Sequence, residues 1–403
     1  MNLKKFVGHQ KILVFIDGYI PTSKAYGVTV RETVSILSKM NFQIRLSCIK
    51  SEYHDQDFDE ILNLIINQNE TPFSKSLRKF AQQGYNLPHV LAWQISCALR
   101  LRASKKQIFA FNPHIIWTRD RFLPRSILNH LNGTINVVEF HEHINNQTIQ
   151  RAHTLGPSKV ILAPISPSIR ESIELALPNF VIVDAPMGIR FDLTEFKSNV
   201  KKTLSKKRII NVGYFGKISP QGYSKGIEDF LNLIKQTKQV SKEANFKFQI
   251  NGFLRSEERE LKNLIARCGL AESDVTLTGH LPHGESLKNM KACDIFFLPS
   301  ARSNKYVGFP LKALEYFYFG GRIIAADTKV NRDIFRTNQQ PAWYRQGDSK
   351  SAYHALLSCL KREFSNEEIA NMSLFIEQFS WEQRTKSILD QTESLFKNRF
   401  FNK

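Results

Sequence analysis

Short apolar runs alternate with longer amphipathic stretches through the first half of the chain. The runs at 12–16 and 42–48 predict strands, and the apolar positions between them share one face of a helix predicted from about 29 to 39. Four more strands are predicted at 115–118, 136–140, 160–163 and 181–184. Alternation of strands and helices in this order implies a parallel sheet that is covered by helices on both faces.

A second series of the same kind follows the segment 201–208, which holds five basic residues and no acidic residue. We interpret this segment as the linker to a second domain. The elements predicted after it are strands at 209–214, 246–251, 275–278, 295–298 and 323–326, and helices at 227–237, 257–268, 284–292 and 310–319. The predicted fold is α/β, with two Rossmann-like doubly wound domains, 1–198 and 199–378, that face a central cleft. A last helix at 379–403 is expected to pack back across the domains.

Length and composition restrict the class of protein further. The 403 residues exceed what one ordinary core accommodates, and no run of about 18 apolar residues is present that would span a membrane. The five cysteines are scattered without paired spacing, which argues against a disulfide framework or a zinc site and favours the cytoplasm. The net charge of +19 favours polyanionic partners such as nucleic acid, anionic lipid or diphosphates. Because the sequence lacks nucleic-acid-binding signatures, we expect no nucleic acid partner.

Two local charge patterns have more than one interpretation. Residues 71–106 carry seven basic residues and no acidic residue, interleaved with the aromatic residues Phe73, Phe80, Tyr85 and Trp93. Such a stretch can lie on an anionic membrane surface, or it can be a solvated helix face that covers the core. The acidic run at 55–59 lacks the glycine and the glutamate of a calcium loop, so no metal site is predicted there.

The most informative stretch of the chain begins at Val307. A loop with Gly308 and Phe309 precedes a predicted helix that carries Glu315 at its start, and a glycine pair and a short strand follow. A carboxylate in such a place, at the end of a sheet, can accept hydrogen bonds from two neighbouring sugar hydroxyls. The stretch therefore predicts a ligand site.

This stretch resembles the donor-site motif of GT-B glycosyltransferases of family 4, the group 1 type. Gly308, Phe309 and Glu315 match that motif, whereas Val307 stands in place of its first glutamate and Pro310 in place of a glycine. The resemblance implies that Glu315 binds the ribose hydroxyls of the donor nucleotide. It also implies that Gly308 and Phe309 lie beside the donor.

Two loops upstream resemble the donor-binding loops of the same family. Gly216 and Lys217, followed by Lys225, resemble its first loop, in which two basic residues neutralise the charge that grows on the leaving diphosphate. Gly252 resembles a glycine of its second loop. Lys312 is expected either to pair with the carboxylate three residues later or to contact phosphate.

Two residues of the first domain resemble family positions near the reacting groups. Gly27 resembles the glycine of a loop that lies against the diphosphate and the acceptor, where glycine lets the backbone approach a ligand closely. His141, directly after the strand predicted at 136–140, resembles the histidine near the reacting sugar carbon. A histidine with only a structural role is the alternative.

The resemblance implies a retaining hexosyltransferase that moves a sugar from a nucleotide-sugar donor to an acceptor hydroxyl, in the synthesis of a surface polysaccharide or glycolipid. His141, Lys217 and Lys225 are the predicted catalytic residues. The predicted donor-binding residues are Gly27, Gly216, Gly252, Gly308, Phe309, Lys312 and Glu315. No cofactor or metal is expected, because the nucleotide sugar is a substrate.

The expected acceptor is a glycan or a lipid-linked sugar, and the expected location is the cytoplasm, with contact to the inner face of the cytoplasmic membrane through 71–106. Two alternatives remain open. A nucleotide-sugar 2-epimerase would share the architecture and need no acceptor. A non-catalytic relative, indicated by the change at Val307, would bind nucleotide or glycan without turning it over.

Overall fold

The structure is a computed structural model. It describes residues 10–22, 25–52, 56–81, 87–102, 104–131, 133–200, 203–204, 209–219, 224–240, 245–300, 309–335 and 341–401. The chain divides into two compact units, which we call the first unit (Met1–Met187 with Trp381–Lys403) and the second unit (Gly188–Ser380). The linker predicted at 201–208 lies mostly outside the described residues, and the domain boundaries predicted near 198 and 378 stay a prediction.

The first unit is built on a parallel sheet with the strand order β3-β2-β1-β4-β5-β6-β7 in the described part of the chain. Its strands are β1 (Lys11–Ile20), β2 (Gln43–Lys50), β3 (Ile65–Asn67), β4 (Ile115–Arg119), β5 (Ile135–Phe140), β6 (Val160–Pro164) and β7 (Val181–Ile182). Strands β5 and β6 are buried along their whole length, which explains the continuous apolar sequence of β6, whereas β5 also buries Asn136 and Glu139.

The described helices of the first unit lie between and after these strands. They are α1 (Ala25–Lys39), α2 (Asp59–Leu62), α3 (Pro72–Ala81), α4 (Leu87–Leu101), α5 (Lys105–Phe111), α6 (Arg125–Leu128), α7 (Asn146–Leu155) and α8 (Pro167–Ala176). The last helix of the chain, α17 (Trp381–Phe401), returns to this unit and places Ile388, Leu389 and Phe396 in its hydrophobic core.

The second unit repeats the plan, with the strand order β10-β9-β8-β11-β12-β13 among the residues described, again parallel throughout. Its strands are β8 (Ile209–Phe215), β9 (Asn245–Asn251), β10 (Thr276–Thr278), β11 (Ile295–Leu298), β12 (Ile323–Ala326) and β13 (Ala342–Tyr344). Its helices are α9 (Leu193–Asn199), α10 (Ile227–Val240), α11 (Glu258–Arg267), α12 (His283–Lys291), α13 (Leu311–Tyr318), α14 (Lys329–Ile334), α15 (Ser349–Lys361) and α16 (Asn366–Glu377).

Both sheets therefore have the strand order of the Rossmann fold, and the predicted fold class of two doubly wound α/β domains is confirmed. In each sheet the order reverses beside the first strand, between β1 and β4 and between β8 and β11. Ligands of such sheets bind beyond the carboxyl ends of the strands at this switch point. Among the described residues, none of the helices has the length and apolar character needed to cross a bilayer.

One predicted helix start and the predicted position of Glu315 within its helix are wrong, and both errors affect the site. Strand β1 continues to Ile20, and α1 begins at Ala25 rather than near residue 29. Gly27 therefore lies in the first turn of a helix and not in a preceding loop. Helix α13 begins at Leu311 without an acidic residue in its first turn, so Glu315 lies in the second turn and not at the helix start.

Candidate active site

The loop that follows β8 carries two of the predicted catalytic lysines. Gly216 ends the strand with a φ of 144°, and its N–H donates to the carbonyl of Asn251 at 2.7 Å. Lys217 is exposed, and Lys225 is partly buried. The backbone N–H of Lys225 donates to the carbonyl of Ile218 at 2.9 Å, which closes the loop before α10.

Gly252 brings the loop after β9 into backbone contact with this first loop. Its φ is 87°, a left-handed conformation that favours glycine. A Cβ atom at Gly252 would lie 3.1 Å from the backbone nitrogen of Gly216. Glycine at position 252 therefore lets the two loops meet without a side chain between them.

Tyr316 fixes helix α13 to the end of β8. Its hydroxyl accepts from the N–H of Phe215 at 2.7 Å and lies 3.2 Å from the carbonyl of the same residue. The tyrosine ring stacks on Phe296 with centroids 4.7 Å apart. Burial raises the pKa of Tyr316 well above its ordinary value, so the hydroxyl keeps its proton. The helix that carries Glu315 is consequently held beside the Gly216 loop.

Glu315 is buried, with 6% of its surface exposed. Its Oε2 lies 2.9 Å from Nζ of Lys312, one turn earlier on the same helix. Of the two roles predicted for Lys312, the ion pair is the one present in this structure. Since the carboxylate lies in the second turn, the charge on Lys312 stabilises it more directly than the helix dipole.

Lys217 and Lys312 lie close enough to Lys225 to affect its ionisation. Burial, followed by the ammonium groups of Lys312 and Lys217, lowers the pKa of Lys225 to about 8. The structure thus brings together the predicted residues Lys217, Lys225, Lys312 and Glu315 at the carboxyl end of the second sheet. An accumulation of cations of this kind favours an anionic ligand.

Of Phe309 and Gly308, which were also predicted to bind the donor, only Phe309 lies among the described residues. Phe309 packs against the core of the second unit, and its ring centroid lies 6.2 Å from that of Phe379. Gly308 and Val307 lie outside the described residues. The prediction for Gly308 therefore stays a prediction.

Gly27 is buried in the first turn of α1. A Cβ atom there would lie 2.7 Å from Cγ2 of Thr22, 2.8 Å from its carbonyl oxygen and 3.2 Å from Cζ of Phe58. Glycine at this position allows the helix to pack on the end of β1, which is a structural reason for the residue that the sequence pattern did not indicate. Its predicted contact with the donor stays a prediction.

His141 lies directly beyond β5 and is 9% exposed. Its backbone N–H donates to Oδ1 of Asp120 at 2.6 Å. Its ring Nε2 lies 3.3 Å from Oε2 of Glu139. Burial and the nearby Arg119 guanidinium lower the pKa of His141, although the Glu139 and Asp120 carboxylates oppose this shift. The ring is therefore neutral near pH 7.

Several buried polar residues around His141 were not predicted as part of a site. Glu139 accepts a hydrogen bond from Nε1 of Trp117 at 2.7 Å and forms an ion pair with Arg384, whose Nη2 lies 2.9 Å from Oε2. Burial would raise the pKa of Glu139, but the charge of Arg384 and the contact with His141 hold that pKa well below its ordinary value. The cluster of acidic and histidine residues at 139–143 was the only sequence signal for this network.

The basic stretch at 71–106 is only partly a surface feature. Arg78 pairs with Glu70 at 2.8 Å and Arg100 with Asp17 at 2.6 Å, and both arginines are buried. Trp93 is also buried, and its Nε1 donates to Asp17 at 2.6 Å. Phe73 and Phe80 are exposed, and Tyr85 lies outside the described residues. The described residues include no group of three or more His, Cys, Asp or Glu side chains arranged to hold a metal.

Solved structures with this fold match nearly the whole chain. A glycosyltransferase from Rickettsia africae has a TM-score of 0.65 at 14% identity, with 96% of this chain and 99% of that chain covered. Sucrose-phosphate synthase from Thermosynechococcus elongatus has a TM-score of 0.64 at 15% identity, with 96% and 99% covered. Anabaena HepE in complex with UDP-glucose has a TM-score of 0.60 at 14% identity, with 96% and 100% covered. These likenesses define the fold as GT-B.

Residues 195–374, most of the second unit, match the model of the family described as glycosyl transferases group 1. This segment matches the family that the motifs resemble, and the match together with the GT-B fold indicates a glycosyltransferase, as predicted. A comparison with the sequences of curated proteins gave no match. The finer assignment to family 4 stays a prediction.

Proposed function

We propose that the protein transfers a hexose-type residue from a nucleotide sugar to an acceptor hydroxyl, with retention of anomeric configuration and without a metal ion. The observation that carries this proposal is the set of three lysines around Glu315. Burial and the ammonium groups of Lys312 and Lys217 lower the pKa of Lys225 to about 8, and these three neighbouring cations form a site for a diphosphate. The buried carboxylate beside them is suited to accept hydrogen bonds from ribose hydroxyls.

Each residue has a role in the proposed reaction. Lys217 and Lys225 stabilise the negative charge that develops on the nucleoside diphosphate as the sugar bond breaks. Glu315 orients the ribose, and Lys312 holds that carboxylate in place. His141 contacts the sugar near its reacting carbon. Exclusion of water from the site directs the sugar to the acceptor hydroxyl instead of to hydrolysis.

The first donor to test is UDP-glucose. HepE, which has the same fold, was solved with UDP-glucose, and another protein of this fold is named as a lipopolysaccharide outer core galactosyltransferase. These names support a uridine nucleotide and an acceptor that belongs to a surface polysaccharide or a glycolipid. A lipid-linked acceptor is also consistent with the exposed apolar side chains on α3 and α4 of the first unit.

The donor site is tested by thermal stabilisation against UDP-, GDP-, ADP- and dTDP-sugars. A donor at about a hundred times its dissociation constant adds roughly 2.7 kcal/mol to the free energy of unfolding, which is a readable shift. The variant Glu315→Ala should lose the shift, whereas Glu377→Ala, which removes an exposed carboxylate from α16 of the same unit, should keep it. Stabilisation that survives in Glu315→Ala would contradict the assignment of the ribose site.

Product analysis then separates the remaining functions. Transfer to a glycan or glycolipid with an unchanged anomeric configuration supports the proposal. Release of an epimerised sugar without an acceptor indicates the 2-epimerase. Binding of a nucleotide without any turnover, with every acceptor tried, indicates a non-catalytic protein.

We also propose that the first unit contacts the inner face of the cytoplasmic membrane through α3 and α4, which pack on each other. Leu91, Ile95 and Leu99 form one exposed stripe on α4 at a spacing of four residues, and Phe73 and Phe80 are exposed on α3. The exposed charges on α3 are Lys75 and Lys79, and the segment 71–106 contains no carboxylate to repel anionic headgroups. Apolar side chains flanked by lysines favour an anionic lipid surface.

Co-sedimentation with phosphatidylglycerol vesicles at low salt tests this contact. Leu91→Ser with Ile95→Ser should reduce binding strongly, because both apolar side chains are removed from the stripe. Leu175→Ser is the matched control, since Leu175 is 88% exposed on α8, outside the stripe. Equal binding of both variants, or no preference over phosphatidylcholine, would count against the membrane contact while leaving the donor site untouched.

A further inference from the structure

A buried network connects the last helix of the chain with His141. Arg384 on α17 has only 1% of its side chain exposed, and its Nε donates to the carbonyl of Pro186 at 2.9 Å. The guanidinium lies over the ring of Trp381 at 5.5 Å and pairs with Glu139 on β5. Glu139 in turn contacts His141. Buried charges of this kind are costly unless they are paired.

We propose that Glu139 and Arg384 are positioning residues: Glu139 fixes the proton of His141 on Nε2, and Arg384 offsets the charge of Glu139, so that the ring stays neutral and its Nδ1 accepts a hydrogen bond from a hydroxyl of the substrate. This inference rests on the proposed function, because it takes His141 to face the sugar or the acceptor. Glu139 and Arg384 are far apart in the sequence, and neither belongs to the proposed donor site.

The tautomer follows from the partners of Glu139. An ionised carboxylate only accepts hydrogen bonds, and Glu139 accepts from Trp117 through Oε1 while Oε2 faces both Arg384 and His141. The His141 nitrogen next to Oε2 must therefore be the donor. A neutral imidazole that donates through Nε2 has its lone pair on Nδ1. The ring thus presents an acceptor to any hydroxyl group that approaches Nδ1.

The neutral state depends on Arg384. The charged groups that face His141 are Glu139 on β5, Arg119 and Asp120 at the end of β4, and, through Glu139, Arg384 on α17. The two carboxylates favour the imidazolium, whereas Arg119 and burial disfavour it. Arg384 offsets the charge of Glu139. Without that guanidinium, the carboxylate of Glu139 would no longer be balanced by a positive charge. It would then either draw a second proton onto the His141 ring or become protonated itself and cease to accept a hydrogen bond from Nε2.

The tautomer can be measured directly by NMR of the full chain labelled with ¹⁵N-histidine. A His141→Gln sample assigns the signal, since the sequence holds 11 histidines. The expected result is a neutral ring at pH 7 with the proton on Nε2. A ring that is protonated on Nδ1, or that is an imidazolium at pH 7, would overturn the inference. This measurement needs no active enzyme and no variant in the network, so it stands apart from the outcome of the transferase assay.

Variants at Arg384 test the positioning role. Arg384→Met should raise the pKa of His141 by about one pH unit or more, or move its proton to Nδ1, whereas Arg384→Lys should keep the wild-type spectrum. In the transfer assay, Arg384→Met should lower kcat about tenfold with an unchanged KM for the donor. Its acid limb in the pH profile should shift upward with the pKa measured by NMR. An Arg384→Met protein with the spectrum and kcat of the wild type would refute the role. Should this variant unfold, the wild-type tautomer still decides the question.

Discussion

Donor binding should be coupled to uptake of a proton by Lys225. The pKa of this lysine is about 8 in the free protein, below its ordinary value of 10.5. A bound diphosphate supplies two negative charges and should return the pKa towards that ordinary value. At pH 8.5 about a quarter of the free protein carries the proton, so binding should take up about 0.75 proton, compared with about 0.1 at pH 7. The affinity for the donor should fall about fourfold over the same interval.

Calorimetry in two buffers with different ionisation enthalpies measures this uptake. The donor should be the nucleotide sugar that stabilises the protein best, because its esterified diphosphate has no titration of its own in this range. The matched variant is Lys225→Arg, which keeps a cation at the site but stays charged at both pH values. Its proton uptake should be close to zero and its affinity nearly independent of pH.

The reasoning fails if the wild type takes up the same amount of protons at both pH values. It also fails if Lys225→Arg retains the uptake of the wild type, since another group would then be responsible. Either result would mean that Lys225 does not face the bound diphosphate. The role proposed for this lysine in stabilising the leaving group would have to be abandoned.

Three further variants test the packing around the site by urea denaturation. Tyr316→Phe should lower the free energy of unfolding by about 1–3 kcal/mol, because the buried N–H of Phe215 loses its acceptor; an unchanged value would contradict the contact. Gly252→Ala should cost about 1–3 kcal/mol through its left-handed backbone and close Cβ contact, whereas Gly284→Ala in a helix should be neutral or stabilising; equal effects would refute this. Folding lowers the pKa of Glu139 below 4.5, so the contribution of its carboxylate to stability is present above that pH and is lost as the pH falls. The difference in the free energy of unfolding between wild type and Glu139→Gln should therefore shrink between pH 5 and pH 3. A constant difference would count against the ion pair with Arg384.

The strands of both sheets could be predicted where they are buried and apolar along their length. The predictions at 295–298 and 323–326 coincide with β11 and β12, because strands covered on both faces require a continuous apolar run. Strands β3 and β13 were missed. Each has three residues, as does the predicted strand β10, so length alone does not explain the two omissions.

The donor side of the candidate site was more predictable than the surroundings of His141. Lys217 and Lys225 follow β8, and Glu315 lies on the helix between β11 and β12, so local motifs at neighbouring strands indicated all three positions. The contact between Glu139 and Arg384 joins residues far apart in the sequence, and no local pattern encodes it. The sequence gives the number of charged residues but not which of them are buried. The burial of Arg78 could therefore not be predicted from the basic stretch in which it lies.

The return of α17 to the first unit has a consequence for how the chain is made. The first unit receives part of its core from residues near the carboxyl terminus, including Leu389 and Phe396. On the ribosome, the unit that emerges first is therefore completed last, after the whole second unit has been synthesised. Premature termination or a proteolytic cut near Ser380 would leave intact the segment that carries the donor site. It would uncover apolar surface in the first unit instead, and the damaged protein would be marked for degradation through that unit.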